Sequence, residues 1–418
     1  MQRIYMCIDL KTFYASVECV ERGLDPFETN LVVADASRGK GALCLAISPK
    51  MKAQGIKNRC RMFEIPEQVK YLIAKPRMQL YMQYSANIYG IYLHYVAKED
   101  IYMYSIDEAF IELTPYLELY KMRARELAKL ILTDVYQSTG ITATVGLGTN
   151  LYLAKVAMDI KAKHSKTNMA WLTESLYRQE MGHHQPLTDF WQIGNGIKNR
   201  LLKYGICDMW GIAHCDPEVL YKEFGVSAEY LIDHAYGRET IQMEDIKNYQ
   251  PKHTSLSNSQ ILFEDYTYQD AYLILKEMVE TNVLSLVSKH LVSDHIHLYI
   301  GYTKNKAKAT GGSLSLTTKT NSLHVMQENF AYLYKKTTRK DVGIRQIAIS
   351  FDRVVDEVYE TFDLFTDFEQ LNKEKQLQST LVDIKTKFGK NAVFKGMNKL
   401  EKATALKRNM LVGGHNAQ

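Results

Sequence analysis

The order in which strand-like and helix-like patterns follow one another constrains this chain most, because the same order occurs twice. Residues 3 to 8 form a short apolar run fit for a buried strand, and Asp9 ends it where the spacing turns helical through Phe13, Val17 and Val20. Leu31 to Ala34 and Ala42 to Ile47 read as strands, Pro49 opens a short helix that stops at Gly55, and a helical stretch runs through Tyr81 to Tyr95. Two strand-like segments between Ile101 and Leu113 flank Ser105-Ile106-Asp107-Glu108. A long amphipathic helix from about Leu117 to Tyr136, a strand from Ile141 to Leu147 and a helix from about Leu151 to Lys161 follow. This βα, ββ, α, β, α order is that of a ferredoxin-like sheet with helices on one face.

The C-terminal third repeats the order without repeating the sequence. Ser255 to Leu262 reads as strand, Tyr268 to Lys289 as helix, Asp294 to Tyr302 and Ser313 to Thr318 as strands, Ser322 to Lys336 as helix and Ile344 to Val354 as strand. Between the two units lies a helical region, 171 to 245, and a polar stretch from Met243 to Lys252, including Pro251, that reads as a linker.

A length of 418 residues suits two or three domains at about 150 residues each. Hydrophobic residues at 46% and charged residues at 24% exclude disorder. No apolar run approaches the roughly 18 residues of a membrane helix, and Asp9 interrupts any signal-peptide core, so a cytoplasmic protein is expected. The six cysteines contain no C-x-x-C pair and read as reduced and mostly buried; zinc held by Cys207, Cys215, His183 and His184 is the alternative, at a spacing that fits no usual finger. Net charge is +5, yet residues 301 to 340 carry eight Lys or Arg against one Glu, and residues 366 to 418 carry ten against five acids. A basic C-terminal third suits a polyanionic partner.

Asp9 closes the first strand, and Asp107 and Glu108 sit in a hairpin junction that can pair beside it. Three carboxylates at one sheet edge repel unless cations neutralise them, and hard oxygen ligands suit Mg²⁺, so a two-metal phosphoryl-transfer site is one reading. The other makes Asp9 a helix cap and Asp107 and Glu108 turn acids.

The segments Cys-Ile-Asp-Leu-Lys-Thr-Phe-Tyr-Ala-Ser-Val-Glu (7 to 18), Ser-Ile-Asp-Glu-Ala-Phe (105 to 110) and Thr-Val-Gly-Leu-Gly-Thr-Asn-Leu-Tyr-Leu-Ala-Lys (144 to 155) closely resemble the palm motifs of Y-family translesion DNA polymerases. The ending Arg-Asn-Met-Leu-Val-Gly-Gly-His (408 to 415) is similar to the UmuC-type branch of bacteria and their mobile elements. The resemblance implies an α+β, multi-domain right-hand polymerase. Its parts would be a ferredoxin-like palm (1–17 and 76–170), small fingers (18–75), a helical thumb (171–242), a linker (243–252), a βαββαβ little finger (253–357) and a tail with a clamp-binding-like peptide (358–418).

Residue by residue, the resemblance makes Asp9 and Asp107 the ligands shared by two Mg²⁺ ions, with Glu108 holding the ion that activates the primer 3′-hydroxyl and the Leu10 carbonyl completing the set. Tyr14 matches the steric gate that excludes a ribose 2′-hydroxyl, and the amides of Thr12, Phe13 and Tyr14 lie at a helix start where they can face phosphates. Lys52 falls where the family's fingers carry a cation for the triphosphate, although Pro49 and Lys50 depart from the usual pattern. A second cation straddles Lys161 and Lys163, and Lys161 is preferred.

Residues 191 to 206 resemble a helix-hairpin-helix, in which Gly194 and Gly196 free the backbone to bind a DNA phosphate. Ser255, Ser257 and Ser259, like Ser313, Ser315 and Thr317, alternate with other residues, which puts hydroxyls on one strand face. With Lys304, Lys306, Lys308 and Lys319 they form a basic face for a duplex backbone, the little finger of the resemblance. Thr-Phe-Asp-Leu-Phe (361 to 365) resembles the peptide that docks in a sliding clamp, with Phe362, Leu364 and Phe365 as the apolar contacts, though the usual Gln is Thr361. The expected partners are primer-template DNA, deoxynucleoside triphosphates and the clamp, with no membrane. The rivals are a non-catalytic DNA- and clamp-binding repair factor that keeps the fold, and another palm-fold enzyme such as a nucleotide cyclase.

Overall fold

The computed structural model describes residues 2–251, 254–364 and 366–417, with Phe263 described by its backbone alone. The chain divides into two compact units, Met1–Tyr249 with His415–Gln418, and Gln250–Gly414.

The first unit runs β1 (Tyr5–Leu10), α1 (Phe13–Val20), β2 (Leu31–Val33), β3 (Ala46–Ile47), α2 (Pro49–Ala53), β4 (Leu72–Ala74), α3 (Met78–Leu93), β5 (Ile101–Met103), β6 (Glu108–Glu112), α4 (Thr114–Tyr120), α5 (Ala124–Thr139), β7 (Ala143–Gly148), α6 (Leu151–Val156) and β8 (Met169–Leu172). Then come α7 (Glu174–Glu180), α8 (Asn195–Leu202), α9 (Met209–His214), α10 (Pro217–Phe224), α11 (Ala228–Ala235) and α12 (Met243–Asn248).

The main sheet has the order β5-β6-β1-β7-β8, with β1 antiparallel to both neighbours. Four of these strands follow the expected ferredoxin-like order. The fifth, β8, adds parallel to β7 and was not read from the sequence. The expectation of helices on one face is corrected: Tyr5, Cys7 and Phe110 pack with Leu151, Ala154 and Met158, while Met6, Ile8 and Val145, which point the other way, are just as buried. A strand buried on both faces has to be apolar throughout, which is why residues 3 to 8 read as an unbroken run.

Other expectations are corrected too. The helix expected from Leu117 to Tyr136 is two helices, because Lys121 takes a left-handed φ of 53° and Glu126 folds back to accept from the Arg123 N–H at 2.9 Å, starting α5 afresh. The strand expected over Ala42 to Ile47 shrinks to β3. The helix expected from Leu151 to Lys161 is α-helical to Val156 and then widens into a π-turn over Ala157–Lys161. Met243–Asn248, within the expected linker, is a helix whose Met243 is buried beside Tyr5 and Cys7. The residues after β8 pack Tyr177, Phe190, Leu201, Ile212 and Leu220 into a core shared with Tyr152, Leu153 and Val156 of α6.

The second unit runs β9 (Ser255–Tyr266), α13 (Tyr268–Ser288), β10 (Leu291–Tyr302), β11 (Thr310–Thr320), α14 (Leu323–Thr337), β12 (Ile344–Asp352), β13 (Val355–Asp356), α15 (Phe368–Phe388) and α16 (Ala405–Arg408). Its element order matches the first unit, but its strand order, β11-β10-β12-β9, puts the first strand at an edge instead of the centre. Ile296, Leu298, Ile300, Ile347, Ile349 and Phe351 point inward onto Ile274, Met278, Phe330 and Tyr334 of the two helices. The segment after α15 is tied to this core. Glu277, 1% exposed, accepts from the Thr404 and Ala405 N–H groups at 2.9 and 3.0 Å and from Asn398 Nδ2 at 2.8 Å. Among the described residues no helix is long and apolar enough to cross a membrane.

Candidate active site

The site forms where β1 ends. Asp9 and Glu108 are direct cross-strand partners, so their side chains rise from the same face of the sheet, and the Leu10 N–H donates to the Asp107 carbonyl at 2.9 Å, fixing the hairpin beside β1. Asp107 also accepts from Ser105 Oγ at 2.7 Å. The reading of Asp9 as a helix cap is overturned: the residue before α1 is Thr12, left-handed at φ 45°, and no side chain caps that helix. The first amides of α1, those of Thr12, Phe13 and Tyr14, therefore lack a side-chain partner at the expected position. The Phe13 and Leu10 side chains are core residues, 2% and 3% exposed.

Each outer carboxylate faces a lysine from the segment after β7. Lys155 Nζ lies 2.6 Å from Glu108 and 3.0 Å from Asp159. Lys163 Nζ lies 2.8 Å from Asp9 and 2.7 Å from Asp159. Burial pushes the Asp9 carboxyl up, Lys163 opposes this, and the nearby Asp107 adds to the rise. Burial raises Glu108 as well, opposed by Lys155 and reinforced by Asp9.

Lys155 reaches Glu108 because α6 lies directly on β7. A Cβ on Gly146 would sit 2.1 Å from the Ala154 carbonyl oxygen, and one on Gly148 would sit 2.2 Å from the Ala154 nitrogen. The sequence motif needs glycine at both positions for that backbone contact.

Lys161, the preferred second cation, turns away and pairs with Glu180 of α7. Lys163 takes the inward place instead. The π-turn absorbs one extra residue, which rotates the following lysines, and propensity gives no signal of such a turn. Lys52 of α2 is exposed, yet its ammonium is held below its usual range, first by the crowding around it and then by Lys163, with Asp9 acting in the opposite sense. Lys11, whose ammonium bonds Asn168, is lowered by burial and by Lys52. Lys11 and Lys155 were missed, although both lie inside the quoted motifs. Tyr14 stacks on Tyr81 with ring centroids 4.4 Å apart, and its hydroxyl is raised by burial and then by Asp107.

Elsewhere, Gly194 is the residue before α8 and Gly196 lies in its first turn; a Cβ on either would meet nothing within 4 Å. The outer face of the second unit's sheet alternates as expected, with Ser257 and Ser315 exposed and Leu314 and Leu316 packed toward the core. His297 and Tyr299 of β10 are also exposed, which the sequence reading missed. Lys304 and Lys306 are exposed in the β10 to β11 turn, and Lys319 lies at the far end of β11. Leu364 is 98% exposed, Phe362 is 47% exposed against Phe368, and Phe365 lies outside the described residues. His183 and His184 pair with Asp208 and Asp189, each at 2.9 Å, not with the cysteines.

The chain is 30% identical to the proposed UV-damage repair protein UvrX of Bacillus subtilis (strain 168), over 98% of this chain and 97% of that one. The chain belongs to the impB/mucB/samB family. The match to the impB/mucB/samB family spans residues 8–159, which takes in Asp9, Asp107, Glu108, Lys155 and Asp159. A second relative, named DNA polymerase IV 2 in the same organism, is 26% identical over 99% of each chain. A solved Y-family DNA polymerase chimera of Dbh and Dpo4 superimposes with a TM-score of 0.65 at 19% identity, over 84% of this chain and 99% of that one, so the chain has a Y-family fold.

The donor set is carboxylate oxygen, which fits hard divalent cations. As the side chains stand, no three His, Cys, Asp or Glu among the described residues are grouped to hold an ion, and Lys155 and Lys163 take the oxygens in question.

Proposed function

We propose that this chain is a template-directed DNA polymerase that extends a primer across damaged template, using Asp9, Asp107 and Glu108 to hold two Mg²⁺ ions, with the Leu10 carbonyl as a further ligand. The carrying observation is that Asp9 and Glu108 face each other at the end of a central strand pair, with Asp107 hydrogen-bonded beside them, in a chain of this family. The names of the relatives, a UV-damage repair protein and a DNA polymerase IV, support the same reading.

When bound, the cations would lower the pKa of the primer 3′-hydroxyl and neutralise charge on the triphosphate. Lys163, paired with Asp9, and Lys52 and Lys11, whose charges Asp9 also influences, would draw the triphosphate of a deoxynucleotide. The Thr12, Phe13 and Tyr14 amides would meet its oxygens at the start of α1. Lys161, paired with Glu180, has no part in this reading. The Tyr14 ring, backed by Tyr81, would close the space under the sugar to a 2′-hydroxyl. Primer-template DNA would be held through the open backbone at Gly194 and Gly196 and through the face bearing Ser257, Ser315 and Lys319, with Lys304 and Lys306 at its end, contacts that read phosphate and not sequence. Exposed Leu364 with Phe362 would offer a sliding clamp its apolar residues.

Primer extension with Mg²⁺ tests the proposal. The wild-type chain should extend a primer, and Asp107→Ala should lose more than about a hundredfold in rate. No extension by the wild-type chain would leave the non-catalytic DNA-binding reading standing, and equal extension by the two would remove Asp107 from the reaction.

A further inference from the structure

The acids and the segment after β7 form one continuous chain of polar contacts. Cys7 Sγ donates to Glu108 at 3.4 Å, Glu108 pairs with Lys155, Lys155 with Asp159, Asp159 with Lys163, and Lys163 with Asp9. The two lysines differ in freedom. Each holds two carboxylates with one ammonium, but the Lys155 side chain is 8% exposed whereas that of Lys163 is 39% exposed. An ammonium 2.8 Å from Asp9 Oδ2 and a divalent ion on that oxygen would repel each other strongly. Both cannot stay. Lysine suits such an exchange because its charge is compact and its stem flexible, and Asp159 already binds the same ammonium.

We propose that Lys163 is the resident counter-ion of Asp9 and that Asp159 is a positioning residue that keeps it in the site once Asp9 is given up. Lys163 releases Asp9 when a divalent cation takes that carboxylate, remains anchored to Asp159, and presents its ammonium to the incoming triphosphate. Cation and nucleotide binding are thereby coupled through one side chain. The inference rests on the two-cation reading above.

The test is Mn²⁺ binding to the full chain without DNA or nucleotide, followed by the electron paramagnetic resonance of free Mn²⁺, together with the KM for a deoxynucleotide in primer extension. Lys163→Met should bind Mn²⁺ about threefold to fivefold more tightly than wild type, as expected for losing a competing surface-accessible pair, while its nucleotide KM rises. Asp159→Asn should bind Mn²⁺ more weakly than wild type, because Lys163 is left with Asp9 alone, and Asp159→Glu should restore it. The double variant should behave like Lys163→Met. Charge alone would give opposite signs at the two positions but an intermediate double variant, so the double variant matching Lys163→Met is the outcome that marks the anchoring. Lys163→Gln, checked for the wild-type melting temperature, guards against a folding defect. Lys163→Met and Lys163→Gln binding Mn²⁺ no more tightly than wild type overturns the inference while leaving the cation reading intact, provided Asp107→Ala weakens Mn²⁺ binding. Equal binding by wild type and Asp107→Ala overturns both.

Discussion

Glu18 shows how a single buried charge holds the candidate site in shape. It is fully buried and accepts from Arg77 Nε at 3.0 Å, Arg77 Nη2 at 2.7 Å and the Tyr81 hydroxyl at 2.7 Å, with Arg22 as a further partner. Burial pushes its carboxyl up, but the hydrogen bonds from Arg77, Tyr81 and Arg22 outweigh this and hold it below the usual value. A depressed carboxylate stabilises the fold above its ordinary pKa of 4.5, and that contribution is lost as pH falls through the depressed value. Glu18→Gln should therefore cost about 2 kcal/mol or more at neutral pH in urea unfolding, and its deficit should shrink toward acid pH. Tyr81 is also the ring behind Tyr14. Tyr14→Ala should raise incorporation of ribonucleotides relative to deoxynucleotides by more than about tenfold in single-nucleotide extension, and an unchanged ratio would remove Tyr14 from sugar selection. Asp9, Asp107, Glu108 and Tyr14 were legible because they sit in contiguous motifs. Between Lys161 and Lys163 the sequence left both open and favoured Lys161, because the direction of each depends on a local widening of the helix that no side-chain pattern announces.

At the scale of elements, alternation and apolar runs exposed both βαββαβ units, since each rests on local periodicity. What stayed hidden was set by partners distant in sequence. Strand β8 forms because β7 offers it a parallel edge, and α12 forms where Met243 finds a pocket beside Tyr5 and Cys7. The break at Lys121 was hidden because the residues on both sides continue an amphipathic pattern. The contact between α6 and β7 yields a sharp expectation. Gly146→Ala forces a Cβ into backbone atoms of Ala154 and Met158 that cannot rotate aside. It should destabilise the first unit by about 3 kcal/mol in denaturant unfolding and weaken cation binding by shifting Lys155 from Glu108.

For the molecule as a whole, charge distribution is the sequence signal that carries furthest. The excess of Lys and Arg in residues 301 to 340 divides between β11 with the turn before it, which hold Lys304, Lys306, Lys308 and Lys319, and the end of α14 with the residues after it, which hold Lys335, Lys336, Arg339 and Lys340. If Lys304, Lys306 and Lys319 each neutralise a phosphate, the plot of log affinity for duplex DNA against log salt should lose about 0.9 of slope for each one changed to Ser. The loss should be the same on unrelated sequences. Slopes that match wild type would assign those lysines to solvent. The two glycines of β7 carry a wider lesson for anyone redesigning this enzyme. Main chain rests on main chain there, so the anchor of Lys155 has no side chain that can be trimmed or swapped. Any redesign of the site must therefore leave glycine at 146 and 148.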